Sequence, residues 1–379
     1  MTAITLQRVT TLRQLRRFID FPFRLYKGNK YWCPPLQFDE LNTLRQDKNP
    51  SFDYCEAAYW LAFRNGCPVG RIAGIINHSA NEKWGDRLVR FGWIDFTDDP
   101  EVSRTLLEAV ESWGKEKGMT GIHGPLGFTD MDPEGMLTEG FEELSSLAAI
   151  YNHPYYPVHM EQHGYSRATD WVQYKIEVPE SVPRKVERMA AIVLNKFKLR
   201  LLGARTAKEI RPYAAKMFNM YNEAFAGLYG FAPLSDKQIE NYTRQYFGFI
   251  RPEFVSLVID EKDEIAGFGV TMPSLARALQ KCNGHLFPFG FLHLLKAMRY
   301  NDTIHMYLVG VRPEFQGKGV LALVYNELTR AYINHGMKTA ITHPQMEDNQ
   351  RAVSIWKNYN SHIHIRRRCY IRQFSNSSL

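Results

Sequence analysis

The chain has 379 residues, of which 45% are hydrophobic and 23% charged. That balance excludes a largely disordered, collagen-like or disulfide-stapled chain, and the length suits two domains at roughly 100–200 residues each. Forty-seven basic residues face 40 acidic ones, a formal charge of +7, which suits an anionic ligand such as a nucleotide-bearing cofactor but is not a tail that coats nucleic acid.

The N-terminal stretch has no apolar core followed by a small-residue cleavage site, so no signal peptide is expected. Thr10 or Thr11 can cap a first helix carrying Leu12, Leu15, Phe18 and Ile19 on one face. Pro22, Pro34 and Pro35 predict an irregular segment after it. Residues 58–63 and 69–76 read as two strands joined at the turn pair Asn65-Gly66. Residues 91–96 read as a third strand. Asp98-Asp99-Pro100-Glu101 then opens a helix that runs to about Lys117 and stops at Gly118. Glu180-Ser181-Val182-Pro183 reads as a linker leading into a basic amphipathic helix over 184–198, with Val186, Met189, Ile192, Val193 and Phe197 on one face, expected to bridge two domains.

The second half repeats the order of the first. Residues 254–259 and 264–271 read as strands around the turn 260–263, 304–311 as another strand, 319–335 as a helix stopped at Gly336, and 338–342 as a short buried strand. Val69-Gly70-Arg71-Ile72-Ala73-Gly74 echoes Asp263-Glu264-Ile265-Ala266-Gly267. Lys117-Gly118-Met119 with His123-Gly124-Pro125 echoes His335-Gly336-Met337 with Thr342-His343-Pro344, Gly336 lying 218 positions after Gly118. Two copies of one α/β unit follow, with insertions in the second. The greasiest stretch, 286–295, is too short to span a bilayer; it suits either a membrane surface or, the reading preferred, a buried insert roofing the acceptor cleft.

The five cysteines, odd in number and without a Cys-x-x-Cys pair, predict neither a disulfide framework nor a Cys-type zinc site, and place the chain in a reducing, cytoplasmic compartment. No His spacing suits a metal; His362-x-His364 is read as surface alternation. Arg366-Arg367-Arg368 is read as a solvated strand edge.

The most informative segment joins an apolar strand ending at Val311 to a helix through Arg312-Pro313-Glu314-Phe315-Gln316-Gly317-Lys318-Gly319. Glycines at a strand-to-helix turn let backbone N–H groups converge on an anion, with the helix dipole and Lys318 adding positive charge. A diphosphate is the natural guest. The turn matches neither the Walker A loop nor the dinucleotide fingerprint. With Val309-Gly310-Val311-Arg312-Pro313 before it, Gln316-Gly317-Lys318-Gly319-Val320-Leu321 resembles the cofactor motif of the GNAT acetyltransferase superfamily, Leu321 standing where that motif ends in Gly or Ala. Asn349-Gln350-Arg351-Ala352-Val353-Ser354-Ile355-Trp356 resembles the family's next signature, Trp356 replacing a frequent catalytic Tyr. Gln162-His163-Gly164-Tyr165 resembles the end of the last motif in the first half, where the cofactor turn is replaced by acidic residues.

The resemblance implies an α/β (α+β) fold of two GNAT-like domains, each a mixed, mostly antiparallel central sheet flanked by helices. Residues 1–179 would be a degenerate copy, 180–200 a linker and bridging helix, and 201–379 the acyltransferase domain. It implies transfer of an acyl group from acetyl-CoA or another acyl-CoA to a primary amine by direct attack. The alternatives are a Fem-type aminoacyl or peptidyl transferase, the only reading that brings in tRNA, and a non-catalytic binding protein of this fold. Val309 and Val311 would hold the pantetheine arm through main-chain groups. Gln316, Gly317, Lys318, Gly319 and Val320 would hold the diphosphate, and Asn349 would complete the cofactor site. Glu223, Tyr221, His305 and Tyr307 are candidate proton acceptors, and Tyr359 a candidate acid for the departing thiolate. The acceptor would be a small-molecule or peptide amine. No metal is expected.

Overall fold

A computed structural model describes residues 3–374. In chain order its strands are β1 (Thr5–Arg8), β2 (Cys55–Arg64), β3 (Cys67–Asn77), β4 (Leu88–Phe96), β5 (Gly121–Gly124), β6 (Met136–Glu139), β7 (Ser166–Glu177), β8 (Arg200–Leu201), β9 (Val255–Ile259), β10 (Ile265–Pro273), β11 (Thr303–Val311), β12 (Thr339–Ile341), β13 (Gln345–Met346) and β14 (Ser361–Gln373). The chain divides into two compact units. Unit 1 holds Met1–Trp171, Ala276–Leu294 and Ile365–Leu379; unit 2 holds Val172–Leu275 and Leu295–His364.

In unit 1 the strand order is β1-β2-β3-β4-β5, followed by the C-terminal part of β14. The β2–β3 hairpin turns at Asn65 and Gly66, both with positive φ (52° and 74°), the primed turn that matches strand twist. Asp99 caps the helix Pro100–Glu116, its side chain accepting the Glu101 N–H. That helix buries Val102, Leu106, Leu107, Val110 and Trp113 against Ile72, Ile76, Val89, Phe91 and Phe96 of the sheet. The first helix, Leu12–Leu25, is capped by Thr11 through a capping box with Gln14. It runs through Pro22 rather than stopping there, and the Tyr26 N–H closes its last turn on the Pro22 carbonyl.

Unit 2 orders its strands as the end of β7, then β12, β11, β10, β9 and β8. Along that order the pairings are antiparallel except β11 with β12. The helix Val320–Asn334 packs on one face, where Val320, Leu323, Val324 and Leu328 meet Ile304, Met306, Val309 and Val311. On the other face the helix Ala214–Ala224 brings Met220 against β11 at Gly310. The helix Arg184–Lys196 belongs to unit 2 and packs on the helix 320–334. Its buried face is Val186, Ala190 and Val193, while Met189 and Ile192, expected inside, are exposed. The cause is a narrow contact stripe, set by a single helix partner rather than a sheet.

The basic block near the chain end also departs from expectation. Arg367 is fully buried and donates to the Ile150 carbonyl, and burial pulls its guanidinium down to about 9. Arg368 makes a two-point contact with Asp170 at 2.8 and 3.1 Å, and Arg366 pairs with Glu139. These arginines tie structure together rather than coat a solvated edge.

Candidate functional site

The site in unit 2 begins with a gap in the sheet. β11 and β12 run parallel for only three residues, Thr303–His305 beside Thr339–Ile341. β12 then ends, while β11 continues to Val311 with its other edge held by β10. Beyond His305 the edge that faced β12 is therefore open.

The register says which groups face the opening. Arg312 donates its N–H to the Ala266 carbonyl at 3.0 Å, and the pairing runs back as Val311 with Gly267, Gly310 with Phe268, Val309 with Gly269 and Leu308 with Val270. Antiparallel pairs alternate between bonded and non-bonded. Leu308 and Gly310 thus spend their main-chain groups on β10, and Val309 and Val311 turn theirs to the open edge. The Gln316 side chain, Nε2 donating at 3.2 Å, takes the Val311 carbonyl.

A bulge lies at Tyr307, because Thr271 pairs with Met306 and Val270 with Leu308. It resets the alternation. Sequence spacing puts Leu308 on the Met306 face; the bulge puts it on the face of His305 and Tyr307, and Val309 joins Met306 in the core. The His305 and Tyr307 rings are 6.3 Å apart. Burial, with His364 nearby, pulls the His305 imidazole down to about 4.

The turn 312–319 closes with three internal bonds: the Phe315 N–H to the Arg312 carbonyl at 2.8 Å, the Gln316 N–H to the Pro313 carbonyl at 3.2 Å and the Lys318 N–H to the Phe315 carbonyl at 3.2 Å. Among the described residues no acceptor reaches the N–H groups of Gly317, Gly319, Val320 or Leu321. Gly317 and Gly319 have φ of +72° and +88°, which a side chain would strain. A Cβ at Gly317 would point into open space, whereas one at Gly319 would meet Val193 at 3.0 Å and Met189 at 3.1 Å. The helix start is drawn tight against β10, where a Cβ on Gly267 would lie 2.8 Å from Val320. Lys318 sits with its ammonium 5.7 Å from the Phe197 ring. Leu321 is half-buried, packed on the core beneath the turn. The arrangement is a cluster of unspent amides at a helix N-terminus beside an open strand edge, and it can hold an anion and an extended chain.

The other candidate residues are dispersed. Glu223 is exposed on the helix 214–224. Tyr221 is buried, its ring 4.3 Å from Phe225 and 5.6 Å from Phe231. Tyr359 lies on the opposite face of the sheet from Tyr307, its hydroxyl 3.1 Å from the Thr329 hydroxyl, and burial raises its phenol. Asn349 caps the short helix Gln350–Val353, accepting the Ala352 N–H at 3.3 Å. Trp356 is buried and donates to Gln345 at 2.9 Å. The strand end, by contrast, supplies a residue that sequence reasoning left aside. His343 follows β12 by two residues, just past the point where the parallel pairing with β11 stops. It is partly buried, lost hydration pulls it down to about 4, and its Nδ1 has no hydrogen-bond partner. The signal was its place within the echoed segment Thr342-His343-Pro344. Among the described residues no group of three or more His, Cys, Asp or Glu side chains is arranged to hold a metal ion.

Unit 1 has the same gap in the same place, since β4 and β5 run parallel for Leu88–Arg90 beside Gly121–His123. There the opening is filled: the Leu126 N–H donates to the Phe91 carbonyl at 2.9 Å, and a Cβ on Gly92 would lie 2.5 Å from the Leu126 carbonyl oxygen. The helix start that would meet a diphosphate carries Asp99 and Glu101, both paired with Arg64.

Comparison with known proteins follows this geometry. The sequence model of the acetyltransferase (GNAT) family matches residues 214–359. The chain is 30% identical over 307 residues to Protein YghO of Escherichia coli (strain K12), covering 80% of this chain and 77% of that one. It is 29% identical over 318 residues to the bacterial ceramide synthase of Caulobacter vibrioides (strain NA1000 / CB15N), covering 81% and 80%. A solved tandem GNAT protein from the clavulanic acid biosynthesis pathway shares the fold with a TM-score of 0.55 at 11% identity, over 98% of both chains. A GCN5-related N-acetyltransferase from Sphaerobacter thermophilus shares it with a TM-score of 0.50, also at 11% identity, over 98% of this chain and 95% of that one.

Proposed function

Because this chain belongs to the acetyltransferase (GNAT) family, as a GNAT-type N-acyltransferase of tandem build, we propose that it moves an acyl group from acyl-CoA to the primary amine of a long-chain amino alcohol. The observation that carries the cofactor half is the set of unspent amides at Gly317, Gly319, Val320 and Leu321, beside the outward main-chain groups of Val309 and Val311. The acceptor half rests on the ceramide synthase relative, since a ceramide is an N-acylated long-chain amino alcohol.

In this reading the diphosphate sits on the glycine turn, with Lys318 beside it. The pantetheine arm adds to β11 as a strand would. A main-chain N–H of the open edge polarises the thioester carbonyl. The neutral amine attacks the carbonyl carbon, the new C–N bond forms, and the C–S bond breaks. The proton released from nitrogen passes to His343 Nδ1 and on to the departing thiolate, giving amide and free thiol. An imidazole held neutral by burial stands ready throughout the physiological range. Tyr307 borders the same opening and orients the reacting groups. Glu223, exposed to solvent, serves as a final proton outlet at most, and Asn349 and Tyr359 act by holding the surrounding helices.

The test is thiol release from acyl-CoAs of graded chain length, with sphinganine and with short amines as acceptors, and mass detection of the amide. Amide formation with sphinganine supports the reading. Transfer to short amines alone removes the lipid half, and no thiol release with any acceptor removes the whole. His343→Ala is expected to lower kcat about 100-fold while the thermal stabilisation by acyl-CoA is kept.

A further inference from the structure

Water dictates that the outward face of a surface helix be polar. Residues 285–300 break that rule. Phe287 and Phe289 are 81% and 70% exposed, and on the helix Gly290–Arg299 the outward residues Leu292 and Leu295 are 52% and 61% exposed, while Leu294 turns inward. The buried insert expected from sequence is instead an apolar tip facing solvent.

The tip is built rather than frayed. The Phe291 N–H donates to the Leu286 carbonyl at 2.9 Å and the Leu292 N–H to the Phe289 carbonyl at 3.1 Å. A Cβ at Gly290 would fall 1.7 Å from the His285 carbonyl oxygen, so only glycine lets the loop fold back this closely. The two phenylalanines are held outward by that fold, against the preference of large apolar side chains to leave water.

Charge decides what covers them. From Ile265 to Asn301 the sequence has no Asp or Glu, yet it carries Arg277, Lys281, Lys296 and Arg299, all exposed. A second copy of the chain would bring a like-charged patch against this one. An anionic lipid surface satisfies both features: acyl chains take the Phe and Leu side chains, and headgroup phosphates take Lys296 and Arg299 on the same helix. Tyr300, 68% exposed with the Arg299 guanidinium 5.5 Å from its ring, has the amphipathic form of an interfacial anchor. No helix among the described residues is long and apolar enough to cross a membrane, so the contact is with one leaflet.

We propose that residues 285–300 dock this protein onto the surface of an anionic bilayer. The proposal stands on exposure and charge and does not need the acyl-transfer reading, although a lipid acceptor would give it a purpose.

Vesicle flotation of the full chain tests it, using phosphatidylethanolamine vesicles with one quarter phosphatidylglycerol, and phosphatidylcholine vesicles as the neutral comparison. The chain should float with the anionic vesicles, more weakly with neutral ones, and less as salt rises. F287S/F289S should lower the bound fraction at least tenfold, and K296E/R299E should abolish the preference for anionic lipid. Both variants should keep the wild-type melting temperature and its shift with acyl-CoA, which separates loss of docking from misfolding and from failure of the cofactor site. Wild type that does not float, or F287S/F289S floating as well as wild type, overturns the proposal. So does a wild-type dimer that F287S/F289S splits while vesicles bind neither form, which would assign the tip to a second copy.

Discussion

The two units carry the same gap, and one has filled it. In unit 2 the parallel contact ends at His305 and Ile341 and leaves the main-chain groups of Val309 and Val311 turned to the open edge, where only the Val311 carbonyl is taken, by the Gln316 side chain. In unit 1 the contact ends at Arg90 and His123, and Leu126 donates straight into the Phe91 carbonyl. The helix starts differ in the same sense: Gly317 and Gly319 in one, Asp99, Pro100 and Glu101 held by Arg64 in the other. A pair of splayed strands is thus a scaffold property, and a handful of residues around it decide whether it receives a chain from outside or its own next loop.

The largest expected effect comes from making the open unit resemble the filled one. Gly317→Asp puts a carboxylate where a diphosphate would lie, and should remove the acyl-CoA thermal shift and lower kcat/KM about 100-fold or more. Adding Asp98→Gly and Asp99→Gly to that variant should not restore the shift through unit 1, because the Leu126 bond still closes its gap. A restored shift would break the comparison.

Next comes the plug itself. Gly92→Ala drives a Cβ against the Leu126 backbone and should cost about 2–4 kcal/mol in chemical denaturation. Gly317→Ala, strained in φ but facing open space, should cost only about 1 kcal/mol. Equal losses would mean that the gap in unit 1 is not tightly filled.

Acid should separate the units more gently. In unit 2, burial holds His305 and His343 near 4, against about 6.5 in an unfolded chain. Their contribution is complete above about 6.5 and is lost as pH falls toward 4, because the unfolded chain takes up protons that the folded unit refuses. Glu327, raised by burial, offsets part of this. In unit 1 His123, lowered to about 3, acts the same way, but Asp132, raised to about 6, and Glu40 and Asp130, each raised to about 7, act oppositely. Those carboxyls take up protons in the folded unit before they would in an unfolded chain, so unit 1 gains stability from them as pH falls from 7 toward 4. Hydrogen exchange, corrected for intrinsic rate, should therefore show protection lost at pH 5 over 303–311 and 339–346 before 121–124. The reverse order would overturn the assignment.

The smallest effect is expected at Tyr359. Tyr359→Phe removes one hydrogen bond to Thr329 and should cost about 1 kcal/mol, with turnover within about twofold of wild type. A tenfold loss of kcat would return Tyr359 to the reacting groups.

Local features were legible in the sequence. Asn65-Gly66, the Asp99-Pro100 cap and the glycine turn each stand where their chemistry predicts. The 218-residue echo matches residue for residue in the short parallel strands, Gly121–His123 against Thr339–Ile341. What escaped was decided at long range. The Tyr307 bulge depends on how β10 pairs, His343 gains its importance from where β12 stops, and Arg367 looks solvated until the Ile150 carbonyl reaches it. The apolar tip at Phe287 and Phe289 reads as core by composition, because hydropathy says what a side chain prefers and not what its neighbours leave available.

The last strand sets the order in which this protein can be made. Tyr370–Gln373 pair with Gly121–Gly124 and close the edge of unit 1, joining segments some 250 residues apart in the chain. As the nascent polypeptide leaves the ribosome, one edge of β5 stays unprotected until residues 370–373 emerge, whereas unit 2 is finished sooner at its own last residue, His364. Early termination that spares every cofactor contact would still leave the first half prey to proteolysis, and an isolated 1–171 fragment would lack the piece that seals it.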